Sequence, residues 1–217
     1  MKEIIITYLA SYLVVIIACS IYTMLGFTNL DGFIEGPCSY LILIFYIIVI
    51  FYLYFKHRRV ERKLKFKRYF LFLSYGISIA ILFNMILFKF SSHTNYSTIP
   101  IYLSFISSGI VGPIYEEILF RYIFYHRLKK KYSRNKAIII NTLLFGMIHL
   151  YPIKIIYAMI LGISLTVIYE KEKSILAPIL VHIGANSIVL LLYQFHPIIL
   201  ILAIINLIIN SYLIFSS

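Results

Sequence analysis

Long apolar stretches separated by short polar segments run through the whole chain. A helix that crosses a bilayer needs roughly 20 mainly apolar residues, within a range of about 17–25. The pattern predicts eight helical segments, and therefore an all-α fold, a polytopic bundle of transmembrane helices in a single integral membrane domain, 1–217. The eight segments are 4–27, 38–55, 69–90, 101–125, 137–150, 153–169, 175–194 and 197–216.

The fifth segment is shorter than a membrane-spanning helix. Its residues, 137–150, would extend about 21 Å as a helix, whereas the hydrocarbon core is roughly 30 Å thick. We therefore expect the turn at Tyr151 and Pro152 to lie within the membrane. Non-helical backbone at that depth must be buried in protein or line a wet cavity.

The polar segments differ in their content of basic residues. Segments 56–68 and 126–136 are rich in Lys and Arg, whereas 28–37 and 91–100 contain neither. Short loops rich in Lys and Arg remain on the cytoplasmic side of a membrane. With eight helices this alternation predicts that both termini are cytoplasmic.

The composition excludes several classes of protein. Hydrophobic residues make up 62% of the chain and charged residues 13%, about half the charged fraction of a soluble domain. The net charge of +12 lies in short loops between apolar segments, which predicts membrane lipids as partners and not nucleic acid. Cys19 and Cys38 provide neither a disulfide framework nor the spacing of metal ligands.

Two adjacent acids lie inside the fourth apolar segment. Glu116 and Glu117 are followed by Arg121. A charge at the centre of a bilayer costs about 2.5–3.5 kcal/mol, so such groups face the bundle interior, form pairs or line a cavity, and they indicate function. Glu117 and Arg121 share a helix face and can pair, but Glu116 can also reach Arg121. The sequence leaves open which acid is free.

Two further segments contribute histidine. His149 ends the fifth segment, and His182 lies in the seventh, one turn before Asn186. Carboxylates, imidazoles and an amide can activate water and stabilise an oxyanion. Glu116, His149 and His182 can alternatively hold a divalent metal ion and leave one position for water. Both readings make these polar residues candidates for one hydrolytic site.

Three motifs resemble those of a known family. They are Glu-Glu-x-x-x-Arg from Glu116 to Arg121, Phe-x-x-x-His from Phe145 to His149, and His-x-x-x-Asn from His182 to Asn186. The family is the CPBP group, which comprises type II CAAX prenyl endopeptidases and bacterial Abi or bacteriocin-processing relatives. The resemblance is specific over roughly residues 109–190, which we expect to form the catalytic core.

The resemblance implies an intramembrane endopeptidase that acts on membrane-anchored peptides or proteins in a bacterial cell membrane. Glu116 and His149 would activate the attacking water, and the two polar residues of the third motif would stabilise the oxyanion. Glu117 and Arg121 would support the site. The family has been described both as metalloproteases, which implies an ion such as zinc, and as metal-free glutamate enzymes; these residues fit either description.

Two other functions use the same kinds of residue. Buried Glu and His are relay groups in proton- or ion-coupled transporters, which often contain inverted repeats; the sequence shows no such symmetry. A non-catalytic immunity or scaffold protein that binds a peptide toxin would keep the fold without needing the carboxylates. The endopeptidase is the favoured hypothesis, with bacteriocin immunity or peptide processing as its biological setting.

Overall fold

The computed structural model describes residues 2–27, 38–88, 101–149, 152–191 and 197–216. Regular structure in these ranges is helical throughout, which confirms the predicted all-α fold. The described helices are α1 (Lys2–Met24), α2 (Ser39–Lys56), α3 (Lys67–Phe88), α4 (Ile101–Lys131), α5 (Arg134–Met147), α6 (Pro152–Glu172), α7 (Leu176–Leu191) and α8 (Pro197–Phe215).

Four of the described helices are long and apolar enough to cross a membrane. They are α3, α4, α6 and α8, while α1, α2 and α7 contain shorter apolar stretches. The chain is a multi-pass membrane protein. Helix α5 has 14 residues and is not among the candidate spans, as its length predicted. Tyr151 and segments 28–37 and 91–100 lie outside the described residues. The cytoplasmic location of both termini stays a prediction.

Helix α4 is longer than the sequence predicted. It was expected to end at residue 125, but it continues to Lys131, so His126 lies on a helix and not in a loop. Lys and Arg are good helix formers, which explains why a basic segment prolongs the helix beyond its apolar part. Extended backbone at Tyr132 ends it, and α5 begins two residues later, at Arg134.

Helix α4 contains two π-helical stretches. Phe105–Val111 and Ile118–Tyr125 are π-helical, and they flank a short α-helical turn, Gly112–Glu117, which carries both acids. The N–H of Gly112 donates to the carbonyl of Ser107, five residues earlier. Stretches of π-helix are rare and often occur at functional sites. The two acids therefore lie between two local changes in helix geometry.

Helix α7 packs very closely against α3. A Cβ atom on Gly76 would lie 1.8 Å from the carbonyl oxygen of Val181, and one on Gly184 would lie 2.3 Å from that of Leu73. Only glycine allows this approach, which is typical of interfaces between membrane helices. The contact fixes α7, and with it His182, relative to the rest of the bundle.

Polar side chains connect α8 to α3. The amide of Asn206 donates to the hydroxyl of Ser78 at 2.7 Å, and the amide of Asn210 donates to the hydroxyl of Ser74 at 2.8 Å. Hydrogen bonds of this kind hold helices together in lipid, where the hydrophobic effect provides no driving force between them. The last helix is therefore attached through specific polar contacts.

The segment between α2 and α3 is fixed to the turn between α6 and α7. The carboxylate of Glu61 accepts a hydrogen bond from the N–H of Ile175 at 2.8 Å, and the N–H of Arg62 donates to the carbonyl of Lys173 at 2.9 Å. Burial raises the pKa of Glu61 above its ordinary value, although the Ile175 N–H and the charge of Arg59 act in the opposite direction. These hydrogen bonds hold together the connecting segments at the end of the bundle that carries the Lys- and Arg-rich segment 56–68.

Candidate active site

The two adjacent acids have different surroundings. The side chain of Glu117 is completely buried, whereas 24% of the Glu116 side chain is exposed. Successive residues of a helix differ by about 100° in direction, so the two carboxylates cannot point the same way. One acid faces the protein interior and the other lies at its edge.

Glu117 forms a buried ion pair with Arg121. Nη1 of Arg121 lies 2.8 Å from Oε1 of Glu117, and neither side chain is exposed. Nη2 of the same guanidinium donates to the carbonyl of Gly162 at 3.3 Å, and its Cζ atom lies 4.0 Å from the ring centre of Phe145. Buried charges are tolerated when they are paired and hydrogen-bonded in this way. Arg121 therefore connects α4 to α5 and α6.

His182 lies between the two acids. Its Nδ1 atom lies 2.8 Å from Oε1 of Glu117, and its Nε2 atom lies 3.8 Å from Oε2 of Glu116. The first distance is a hydrogen bond, in which Nδ1–H donates to the carboxylate; the second is too long for one. Oε2 of Glu116 is buried and accepts no hydrogen bond from the described residues, and the same holds for Oε2 of Glu117.

His149 lies beside this cluster without joining it directly. It is in the turn that follows α5, and its Nδ1 atom lies 3.0 Å from the carbonyl oxygen of Phe145. The Phe145 ring contacts both imidazoles edge-on, with centroid distances of 5.2 Å to His149 and 5.8 Å to His182. Within the described ranges, no hydrogen bond or ion pair joins His149 to either glutamate. Phe145 thus separates the two histidines.

Asn186 connects α7 to the first π-helical part of α4. Its Nδ2 atom donates to the carbonyl of Ser108 at 3.1 Å. The next residue, Ser187, donates from its hydroxyl to the carbonyl of Gly109 at 3.3 Å. Both bonds lie one helical turn from His182. The amide therefore has a backbone partner on the helix that carries the acids.

The donor groups do not form a metal centre in this arrangement. Among the described residues, no group of three or more His, Cys, Asp or Glu side chains is placed to hold a metal ion. Nδ1 of His182 contacts Glu117 and Nδ1 of His149 contacts a backbone carbonyl, an arrangement that would leave Nε2 of each ring for a metal ion. Because the described side chains are not grouped around such an ion, we derive no step through a metal, and the ligand set Glu116, His149 and His182 stays a prediction.

A buried polar chain behind the site was not predicted. Asn141 of α5 donates to the hydroxyl of Thr166 at 3.1 Å, and that hydroxyl donates to the carbonyl of Gly162 at 2.7 Å. Arg121 donates to the same carbonyl, so the chain continues to Glu117. The signal was present in the sequence, because an amide in an apolar segment must find a partner within the bundle. Asn141 meets this criterion in the same way as Asn186 does.

The candidate residues lie inside a region that matches a protein family. Residues 97–188 match the model of the family described as Type II CAAX prenyl endopeptidase Rce1-like. The acidic pair on α4, His149 in the turn after α5 and the His-x-x-x-Asn pair on α7 thus lie in a region with a peptidase-family match. The resemblance inferred from the three motifs is confirmed over this stretch.

A curated relative shows the same likeness. Over 96 residues the chain is 33% identical to the Bacillus subtilis (strain 168) protein named "Putative membrane peptidase YdiL". The aligned stretch covers 44% of this chain and 39% of that protein, so the chain matches well under half of the relative's length. No solved structure matches the chain.

Proposed function

We propose that the chain is an intramembrane endopeptidase that hydrolyses peptide bonds of membrane-associated peptides or proteins, with water activated by Glu116. One observation carries this proposal. His182 hydrogen-bonds the buried Glu117 while its other nitrogen faces Glu116, the acid with partial exposure and no direct hydrogen bond on Oε2. A partly accessible carboxylate beside a fixed imidazole is suited to general-base chemistry.

The proposed step uses the chain's own donors and acceptors. Glu116 takes a proton from water, and the water oxygen forms a bond to the carbonyl carbon of the substrate. The carbonyl oxygen becomes negative and accepts hydrogen bonds from Nε2–H of His182 and from the Asn186 amide. Glu116 then gives its proton to the leaving amine as the peptide bond breaks. Atoms and charge balance without another reactant.

Glu117 and Arg121 act on this step indirectly. The Nδ1–H···Oε1 bond to Glu117 fixes the orientation of the His182 ring and keeps Nε2 directed toward Glu116. The proposed step has His182 donate from both ring nitrogens, so the positive charges of His182 and Arg121 offset the negative charges of the two acids. A neutral cluster lowers the cost of burying these charges. We regard both residues as support for the reacting groups.

His149 is proposed to position the attacking water. Its Nδ1 atom is engaged by the Phe145 carbonyl, which leaves Nε2 as the nitrogen that would contact water. This assignment follows the family resemblance and is supported by the position of His149 next to Phe145. It predicts that His149→Ala lowers turnover more than it lowers stability.

We propose a lipid-anchored peptide or protein in a bacterial cell membrane as the substrate class. The matched family description names prenyl endopeptidases, and the relative's name describes a membrane peptidase of a bacterium. An intramembrane site would receive a peptide that a lipid anchor holds at the bilayer. Bacteriocin immunity or peptide processing is the proposed biological setting.

The test is peptide cleavage by the purified protein in proteoliposomes. Palmitoylated and farnesylated peptides of defined sequence are supplied in separate arms, and products are identified by mass spectrometry. Glu116→Gln is compared with Glu170→Gln, the same change at the basic end of the bundle, where Glu170 binds Lys129 and Lys173. Cleavage that is lost only in Glu116→Gln supports the proposal, and equal cleavage by all three proteins contradicts it.

Ion flux in the same proteoliposomes and toxin protection in cells separate the alternative functions. An ion-coupled transporter would carry an ion flux that Glu116→Gln abolishes, because a buried carboxylate is a relay group. A non-catalytic immunity protein would protect cells from a peptide toxin even after Glu116→Gln. Neither result is expected of a peptidase that depends on this carboxylate.

A further inference from the structure

Pro113 removes one helical donor from a backbone carbonyl of α4. The N–H of Gly112 donates to the carbonyl of Ser107, in the π-helical register. In the same register, an N–H at position 113 would donate to the carbonyl of Ser108. Pro113 has no N–H. The Ser108 carbonyl is therefore available to a donor from outside the helix.

Helix α7 supplies that donor. Nδ2 of Asn186 lies 3.1 Å from the Ser108 carbonyl oxygen, and the Ser187 hydroxyl lies 3.3 Å from the oxygen of Gly109. Within the hydrocarbon region no water replaces a missing partner, so an open carbonyl costs free energy unless a side chain satisfies it. The proline thus creates the acceptor that joins the two helices bearing the candidate site.

We infer that Pro113 and the Ser108 carbonyl are positioning elements for Asn186. The amide has two N–H bonds; the carbonyl holds one of them and directs the other toward the position of the substrate carbonyl oxygen. This role for the amide rests on the proposed function, whereas the attachment between the helices does not. Pro113 acts on the reaction only through Asn186.

A double-mutant cycle between the two positions tests the inference. Pro113→Ala introduces an N–H that shares the Ser108 carbonyl and satisfies it within the helix, so the hydrogen bond from Asn186 becomes weaker and less necessary. We expect Pro113→Ala to lower kcat about 10-fold to 100-fold with KM unchanged, and Asn186→Ala to have a smaller further effect in that background than alone. Pro178→Ala is the matched control, because Pro178 lies in the first turn of α7, where an added N–H has no helical acceptor.

Thermal unfolding gives a second measurement that does not depend on activity. Asn186→Ala should lower Tm by about 2–4 °C in the parent protein and by much less when Pro113 is replaced. Equal losses of Tm in both backgrounds, or a kcat for Pro113→Ala equal to that of the parent, would overturn the inference. A coupled loss of Tm in protein that cleaves no peptide would support the attachment and contradict the proposed function.

A third comparison applies if Pro113→Ala does not fold. Asn186→Asp keeps the size of the side chain, but an ionised carboxylate cannot donate to a carbonyl. It should lose as much Tm and kcat as Asn186→Ala, whereas Ser187→Ala, which removes the neighbouring bond to Gly109, should retain kcat. Wild-type Tm and kcat in Asn186→Asp would overturn the inference.

Discussion

Nδ1 of His182 lies 2.8 Å from Oε1 of Glu117, while its Nε2 lies 3.8 Å from Oε2 of Glu116. One imidazole therefore distinguishes two acids that are adjacent in the sequence. Glu117 is bonded by both His182 and Arg121 and is buried completely. This asymmetry supports the proposal that Glu117 has a structural part and that Glu116 is the reacting acid.

The two acids should respond differently to the same substitution. Glu117→Gln breaks the buried ion pair with Arg121, which we expect to destabilise the protein by about 3–5 kcal/mol. Glu116→Gln should change stability by less than about 1 kcal/mol, because the side chain is partly exposed and Oε2 has no direct hydrogen bond. Thermal unfolding in detergent micelles measures both. Equal losses would contradict the assignment.

Gly162 should tolerate no side chain. A Cβ atom at this position would lie 3.0 Å from Cδ1 of Phe145 and 3.4 Å from Nη2 of Arg121. Gly162→Ala should therefore displace the aromatic ring and the guanidinium together, lowering Tm and peptide turnover. Phe145→Leu in the same protein removes the nearer contact and should restore part of the Tm. A Gly162→Ala protein with unchanged Tm would show that the packing is looser than described.

The buried chain behind Arg121 predicts a non-additive pair of substitutions. Thr166→Val keeps the volume but removes the hydroxyl, which leaves the Asn141 amide unpaired and should cost about 1–3 kcal/mol. Adding Asn141→Leu removes the unpaired amide as well, and replacing both partners by apolar groups can be nearly neutral. The double variant should therefore be more stable than Thr166→Val alone. Unfolding curves that show simple addition of two losses would argue against the hydrogen bond.

Glu61 should make stability depend on pH. Its pKa is raised in the folded protein, so the folded state binds this proton more tightly than the unfolded state does. The stabilisation is fully present below the unfolded pKa and is lost as the pH rises through the folded value. Tm should fall over this window from about pH 4.5 upward, and the Glu61 contribution should be absent in Glu61→Gln. Identical pH profiles of Tm in both proteins would refute this contribution.

Hydropathy predicted the helices well because the thickness of the bilayer fixes the length of an apolar segment. Hydropathy also identified four polar residues within apolar segments: Glu116, Glu117, His149 and His182. The extension of α4 to Lys131 was missed because a basic segment at the end of a membrane helix looks like a loop. Hydropathy carries no information about where helical hydrogen bonding stops.

Relationships between helices were harder to predict. Glu116 and Glu117 lie between two π-helical stretches. The positions of those stretches depend on the backbone hydrogen-bond register, which the pattern of apolar residues does not reveal. Which acid bonds His182 depends on the rotation of α7, and that rotation is set by glycine contacts with α3 at Gly76 and Gly184. The position of His149 follows from the end of α5 at Met147, two residues before it.

The most direct test of the account follows cleavage of a palmitoylated peptide in heavy-oxygen water by the purified protein and by its Glu116→Gln variant. The wild-type protein is expected to release two fragments with one heavy oxygen in the new carboxylate. The Glu116→Gln variant, with an unchanged Tm, is expected to release essentially none. Fragments released at equal rates by both proteins, or none from either while both remain folded, would contradict it.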